Sequence, residues 1–131
     1  MNEESLQALL IYRLTRAAET LQEARLMQQQ GHWNACANRL YYAAFYAVSA
    51  LLVKDGHLAS KHSGVKALFN QHYVKPGVFD KEDGRFYSHL FDLRQEGDYI
   101  DFVILDANIV ESLIEPTAVL IDKVRAVISA R

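Results

Sequence analysis

An arginine, Arg39, stands inside the most apolar segment of the chain, and its guanidinium is the first group suited to chemistry. Residues 33–53 are almost all apolar or aromatic, and the exceptions are Asn34, Asn38, Arg39 and Ser49. A helix of this composition has no continuous solvated face, so the segment predicts a buried central helix. A buried arginine keeps its charge and its five donors, and it must meet an acid, a phosphate or several carbonyls. We therefore expect Arg39 either to hold the core together or to face a binding site.

Polar side chains recur at helical spacing along the same segment. They fall at i, i+4, i+8 and i+11, at Asn38, Tyr42, Tyr46 and Ser49. Each buried hydroxyl needs a hydrogen-bond partner. The row is compatible with partners inside the chain, across a dimer interface or on a ligand. Partners within protein are favoured, because buried polar groups usually find them there.

A second arginine, Arg94, precedes Asp98 by one helical turn. We expect Arg94 in the last turn of a helix, where a cation interacts favourably with the helix dipole. One interpretation of this spacing is a local Arg94–Asp98 pair that ties down the end of the helix.

The motif Lys61-His62-Ser63-Gly64 lies at the predicted start of a short helix. Free backbone N–H groups, a hydroxyl and a glycine that permits close approach can together hold an anion. Many helices begin with a similar sequence. The alternative interpretation is therefore a plain helix start, in which His62 caps the helix or packs in the core.

The spacing of apolar residues predicts that helices carry all of these groups. Glycine, proline and aspartate mark where the helices begin or end. The predicted helices are residues 4–30 before Gly31, 33–53 before Asp55, 62–72 before Pro76, 83–96 before Gly97, and one that begins after Asp106.

Two details qualify this pattern. Ser60 or Ser63 is available as the N-cap of the third helix, and Pro116 should kink the last helix or split it in two. The sequence shows no strand-type alternation of apolar and polar residues, and it contains no repeat and no linker. We predict an all-α, five-helix up-and-down bundle that forms one domain over residues 1–131.

The composition argues against several classes of function. A net charge of −2 is unlike a general nucleic-acid binder, although a local basic pocket remains possible, and no readout of DNA sequence is expected. Cys36 is the only cysteine, so an intrachain disulfide and a thiolate metal cluster are excluded. The acidic start is unlike a signal peptide, and the fourteen-residue run at 40–53 is too short for a bilayer. We expect a cytoplasmic protein without metal, cofactor or membrane contact.

The polar blocks, taken in order, resemble the HEPN family of helical domains, and in particular its short, single-domain prokaryotic branch. They extend from Gly31 to Tyr99, and the first and last helices match in character only. The blocks are Trp33-Asn34-x-x-x-Asn38-Arg39-x-Tyr41-Tyr42-Ala43-x-Phe45, Lys61-His62-Ser63-Gly64, Phe69 with Tyr73-Val74-Lys75, and Leu93-Arg94-x-x-x-Asp98-Tyr99.

The resemblance implies a five-helix bundle that pairs as a two-fold dimer, with a polar cleft near the interface. Family members are often encoded beside a minimal nucleotidyltransferase, with which they act as toxin and antitoxin or as a nucleotide-modifying pair. Many are metal-independent RNases whose motif is an arginine, four to six residues, and then a histidine. Here Arg94 matches the arginine, Tyr99 stands where the histidine is expected, and Gln95 occupies the place of a small polar residue. This departure removes the usual histidine of that motif.

Metal-free RNA cleavage needs a base for the 2′-OH proton and a cation that stabilises the phosphorane. Arg94 suits the second task, with support from Arg39. A phenol such as Tyr99 is a poor base at neutral pH. His62 can replace the missing imidazole if the fold brings it close to Arg94.

Three functions remain open. The first, which we favour, is binding of a nucleotide or RNA phosphate in a cleft lined by Arg39, Tyr42, Lys61, His62, Ser63, Arg94 and Asp98. The second is a metal-independent RNase toxin with Arg94 and either His62 or Tyr99 as catalytic residues. The third is a non-catalytic subunit that dimerises and docks a nucleotidyltransferase.

Overall fold

Two long helices open the fold in a computed structural model that describes residues 2–131. The first helix, α1, spans Glu3–Gln29, and the second, α2, spans Trp33–Lys54. Gly31 turns the chain between them at a φ of 71°, a left-handed conformation that glycine adopts without strain. The predicted stop at Gly31 is confirmed.

The middle of the chain forms α3 at His62–Phe69, a π-helical turn at Asn70–Val74, and α4 at Lys81–Tyr99. The predicted third helix is therefore present, and its last turn is wider than an α-helix. Asp80 and Asp83 form a capping box at the start of α4, in which each side chain accepts the other's backbone N–H. This box starts α4 slightly earlier than the sequence pattern predicts.

Two predicted helix boundaries are wrong. Lys61, and neither Ser60 nor Ser63, is the N-cap residue of α3, and its side chain makes no capping hydrogen bond. Gly97 does not end α4, which continues past it. A Cβ atom at position 97 would lie 3.1 Å from Leu105 Cδ1. The glycine therefore permits close packing of the following loop and does not stop the helix.

The C-terminal region is divided into α5, Ala107–Glu111, and α6, Ile114–Ala130. Asp106 caps α5, as predicted, by accepting a hydrogen bond from the Ile109 amide at 3.0 Å. Pro116 lies in the first turn of α6, where its missing N–H breaks no hydrogen bond, so the predicted split falls just ahead of it. Ile109, in the short helix α5, is 49% exposed.

α2 is the centre of the bundle, as its composition predicts. It packs against each of the other α-helices, and Ala43, Ala47 and Ala50 on its surface are fully buried. The all-α fold is confirmed, since residues 2–131 contain no strand. None of the helices described here combines the length and the hydropathy needed to cross a membrane.

Candidate functional site

Arg94 is a buried arginine on α4, and only 4% of the residue is exposed. Its guanidinium carbon lies 4.9 to 5.8 Å from four ring centroids, which we call the aromatic cage: Tyr41, Tyr42, Phe91 and Tyr99. Helical spacing explains the burial, because Arg94 follows Phe91 by three residues and continues the stripe that faces α2. The sequence placed Arg94 in the last turn of its helix, but α4 extends to Tyr99 and the arginine lies well inside it.

The charge of Arg94 is only weakly balanced. Nη1 donates to the Tyr99 hydroxyl at 3.3 Å and lies 3.9 Å from Asp98 Oδ2. Nε is buried and has no hydrogen-bond partner among residues 2–131. The predicted Arg94–Asp98 pair is therefore present but long. Because a buried guanidinium needs acceptors for its donors, this geometry suits an additional anionic partner.

His62 lies beside the aromatic cage at the start of α3. Its Nδ1 is 2.9 Å from the Tyr41 hydroxyl, and its ring centroid is 5.5 Å from Tyr42 and 4.5 Å from Phe45. Burial, and then the positive charge of Arg94, lower the pKa of His62, so the imidazole is neutral at pH 7. The fold thus brings His62 and Arg94 against the same two tyrosine rings.

Tyr41 connects His62 to Arg94 through a single side chain. It is fully buried on α2, and burial raises the pKa of its phenol to about 12. The hydroxyl therefore stays protonated at physiological pH, and its role toward His62 depends on the histidine tautomer. When Nδ1 carries the ring proton, Nε2 is left as an acceptor that can take a proton from a ligand.

Arg39 is half-buried and well paired, so the prediction of a buried Arg39 is wrong. Its side chain is 30% exposed, and Nη1 donates to Glu23 Oε1 at 3.0 Å. Nε and Nη2 both donate to Asn38 Oδ1, at 2.9 and 2.7 Å. α2 is broadly apolar, but Arg39 points toward the edge shared with α1, where Glu23 supplies the acid.

A chain of polar contacts joins the two arginines. Asn38 donates from Nδ2 to Asp98 Oδ2 at 2.8 Å, and the Tyr42 ring lies 5.2 Å from the Arg39 guanidinium and 5.7 Å from that of Arg94. Some of these contacting residues line an open groove of about 560 Å³. Its lining residues are Glu23, Met27, Asn34, Ala35, Asn38, Arg39 and Asp98. The fold therefore collects Arg39, Tyr42, Arg94 and Asp98 from the predicted site.

Lys61 and Ser63 lie on either side of His62, and both are exposed at the start of α3. Their side chains stay at the surface, whereas His62 is the residue of this motif that contacts the rings of the aromatic cage.

The polar row along α2 does not form one continuous site. Asn38 and Tyr42 belong to the contacts that join the arginines. Tyr46 packs instead under the guanidinium of Arg16, at 5.4 Å. Ser49 is buried, and its hydroxyl has no hydrogen-bond partner in the described part of the chain.

Asn34 holds the end of α4 and the loop after it, a role that sequence reasoning missed. Its Nδ2 donates to the carbonyls of Gly97 and Val103 at 3.3 and 2.8 Å, and its Oδ1 accepts from the Leu105 amide at 2.8 Å. The available signal was an asparagine in an otherwise apolar helix, because a buried amide must find partners.

The loop after α4, which Asn34 holds, exposes apolar side chains. Ile100, Phe102 and Ile104 are 54%, 104% and 85% exposed. Phe102 has a φ of 66°, and this left-handed conformation costs a non-glycine residue about 1–2 kcal/mol. Clustered exposed apolar residues of this kind are typical of interaction surfaces.

The residues that the structure describes include no group of three or more histidine, cysteine, aspartate or glutamate side chains arranged to hold a metal ion. Cys36 is fully buried on α2, and burial raises the pKa of its thiol to about 11. The thiol therefore stays protonated and acts as a small apolar side chain in the core.

Known proteins match this chain over most of its length. The family model described as HEPN domain matches residues 11–127. A UPF0332 protein from Thermotoga maritima is 39% identical over 128 residues, which cover 98% of this chain and 96% of that protein. A protein named "Putative toxin MJ0142", from Methanocaldococcus jannaschii, is 28% identical over 86 residues, which cover 66% of this chain and 58% of that protein. The family match includes the three helices that carry Arg94, His62 and Tyr41, and the chain belongs to the HEPN family.

Proposed function

We propose that this protein binds a phosphate of RNA or of a nucleotide at Arg94, in the polar cleft beside His62. The observation that carries the proposal is the buried guanidinium, whose Nε has no partner among residues 2–131 and whose nearest acid is 3.9 Å away. Phosphate oxygens supply the missing acceptors, and a guanidinium matches a phosphate in a bidentate geometry.

In this proposal the ligand reaches Arg94 from the side of α3. Residues 95–122 contain seven acidic residues and no lysine or arginine, so a polyanion is repelled from the loop after α4. Lys61 and Ser63 add a positive charge and a hydroxyl next to His62, at a helix start that also favours anions. Arg39 is already paired with Glu23. It therefore serves to position Tyr42 and, through Asn38, the carboxylate of Asp98.

The test is fluorescence anisotropy with a labelled single-stranded RNA oligonucleotide and unlabelled AMP as competitor. Arg94→Gln should weaken binding about 10- to 100-fold, the value of a lost charge-assisted contact. Arg85→Gln is the matched control, because Arg85 lies exposed on the same helix and pairs with Glu82. Equal affinity of Arg94→Gln and wild type, with both folded by circular dichroism, would assign Arg94 a structural role only.

A metal-independent RNase toxin is the second candidate, and the position of His62 favours it. A neutral imidazole next to Arg94 can take the 2′-OH proton while the 2′-oxygen attacks the phosphorus. Arg94 would stabilise the phosphorane, and protonated His62 would return the proton to the departing 5′-oxygen. The products would be a 2′,3′-cyclic phosphate and a 5′-hydroxyl end. The name of the Methanocaldococcus relative points in the same direction.

Cleavage of the same RNA in EDTA separates these functions. If the protein is an RNase, His62→Gln and Arg94→Gln should both abolish the cyclic-phosphate product. Tyr99→Phe should leave cleavage intact unless Tyr99 is the base. Absence of cleavage with excess protein would exclude the RNase. Absence of both cleavage and binding would leave the docking subunit.

We also propose that the chain pairs as a two-fold dimer through the loop after α4, with a minimal nucleotidyltransferase as a further partner. The supporting observation is the exposed apolar row at Ile100, Phe102 and Ile104. Light scattering after gel filtration should give twice the chain mass, and Phe102→Ser with Ile104→Ser should give a monomer. Ile11→Ser, at another exposed isoleucine, is the control. A wild-type monomer at micromolar concentration would contradict the dimer.

A co-expressed minimal nucleotidyltransferase tests the second partner. It should copurify with the wild-type chain through gel filtration in stoichiometric amount. Separate elution of the two proteins would remove this partner from the proposal and leave the phosphate site unaffected.

A further inference from the structure

A small cavity separate from the Arg94 cleft lies between α1, the last turns of α2 and the loop that leads to α3. Its volume is about 90 Å³. Three of its lining side chains, Arg13, Ser49 and His57, are polar, and Phe45, Leu52 and Val65 form an apolar wall.

Two of the donors around this cavity are poorly paired. The Ser49 hydroxyl is buried, with the residue 4% exposed, and it has no hydrogen-bond partner among residues 2–131. Arg13 forms no ion pair within that range, in contrast to Arg16 one turn along α1, which pairs with Glu19. Arg13 donates from Nη1 to the Ser49 carbonyl, and this hydrogen bond is long, at 3.3 Å. A guanidinium has five donors, so most of those on Arg13 remain available.

We propose that this cavity binds one small oxyanion, a short-chain carboxylate such as acetate, between Arg13 and Ser49. A carboxylate offers two oxygens to the guanidinium fork and can accept from the serine hydroxyl as well. The volume equals that of about three waters in the liquid, so it admits a carboxylate with a very short alkyl group. The apolar wall at Phe45, Leu52 and Val65 suits that alkyl group.

The bound anion would connect three parts of the fold that otherwise meet around an unfilled space. Arg13 belongs to α1, Ser49 to α2, and Leu58 and Ala59 to the loop before α3. Phe45 also connects the cavity to the proposed phosphate site, because its ring lies 4.5 Å from that of His62. An anion in the cavity would therefore stabilise the segment that leads into His62. This site goes beyond the proposed function and does not depend on it.

Thermal unfolding in acetate, compared with gluconate at the same ionic strength, tests the proposal. Gluconate carries the same charge but its chain of six carbons is too large for the cavity. At ten times its Kd, acetate should raise the wild-type Tm by about 4 °C relative to gluconate. Arg13→Met should lose this difference, and Ser49→Ala should reduce it. Ser49→Ala should fold normally, because it removes an unpaired buried hydroxyl.

Two matched variants separate this site from general effects of salt and from the phosphate site. Arg16→Met removes a neighbouring charge outside the cavity and should keep the full acetate effect. Arg94→Gln should keep it as well, whatever its effect on RNA binding. An acetate effect in Arg13→Met equal to that of wild type would overturn the proposal. Equal Tm values in acetate and gluconate for wild type would do the same, because the cavity would then hold water only.

Discussion

Arg39 and Arg94 lie at the two ends of one chain of polar contacts, but the protein holds them in opposite ways. The side chain of Arg39 is 30% exposed and has an acid at 3.0 Å. The side chain of Arg94 is 5% exposed, and its nearest acid is at 3.9 Å. A guanidinium whose donors are occupied by protein groups has a structural role. The guanidinium of Arg94 is desolvated and short of acceptors, and this is the basis on which a phosphate ligand is proposed for it.

The largest effect on stability should come from replacing two asparagines of α2. Asn34 anchors the end of α4, the helix that carries Arg94, and Asn38 accepts hydrogen bonds from Arg39. Asn34→Ala removes three hydrogen bonds to the backbone around the end of α4, and we expect it to lower the free energy of unfolding by about 3 kcal/mol. Asn38→Ala, whose partners lie in a more exposed network, should lower it by less than about 1 kcal/mol. Urea denaturation measures both. A similar loss in the two variants would mean that the Arg94 side is no better anchored than the Arg39 side.

Replacing each arginine by lysine tests whether RNA binding depends on the planar, bidentate geometry of the Arg94 guanidinium. Arg94→Lys keeps the charge but loses the bidentate geometry, so RNA affinity should fall about 10-fold. Arg39→Lys should change the affinity by less than about 2-fold, because Arg39 already has protein partners. Fluorescence anisotropy at fixed salt gives both values. If Arg39→Lys proves the weaker binder, the roles assigned to the two arginines are reversed.

Glu23→Gln should convert Arg39 into a better anion-binding group. The substitution removes the acid that pairs with Arg39, and RNA affinity should rise about 3-fold, in the range expected for an exposed charge. Glu19→Gln makes the same change of charge on α1, next to Arg16, and serves as the control. An equal gain in both variants would show a general charge effect and not the release of Arg39.

The burial of His62 beside Arg94 should be visible in the pH dependence of the free energy of unfolding. The pKa of His62 is lowered from its ordinary value of 6.5 by burial and by Arg94. Between pH 6.5 and the lowered pKa, the imidazole of the unfolded chain is protonated and that of the native state is not. Stability should therefore decrease as the pH falls below 6.5 toward the lowered pKa, and be fully present above it. Urea denaturation between pH 7.5 and 5.5 should show a weaker decrease for His62→Gln, and an identical decrease would contradict the assignment.

Most of the fold could be predicted because local signals decide it. Gly31 adopts the left-handed turn that only glycine takes easily, Asp106 caps α5, and Pro116 lies in the first turn of α6, just after the break in the last helix. Gly97 misled the prediction because a glycine can also serve close packing. Its role depends on Leu105, which approaches from a loop that no local pattern specifies.

The site was harder to predict because burial depends on which face of a helix meets its neighbours. Arg39 lies in an apolar segment, yet it points to the edge where α1 supplies Glu23. Arg94 lies in a polar segment, yet it follows Leu90 by four residues and Phe91 by three. It therefore falls on the same buried stripe of α4. That spacing was visible in the sequence. The proximity of His62 to Arg94 was not, because it results from the packing of α3 and α4 on α2.

The shared contact through Tyr41 has a consequence for how such a protein can change over evolutionary time. His62 on α3 and Arg94 on α4 each contact the ring of one core residue on α2. Among residues 2–131, no hydrogen bond or ion pair joins His62 directly to Arg94. A lineage can therefore gain or lose an imidazole by a single substitution while it keeps the bundle and the guanidinium. Under the proposed function, loss of the imidazole would leave the phosphate contact of Arg94 in place and remove the base that cleavage requires.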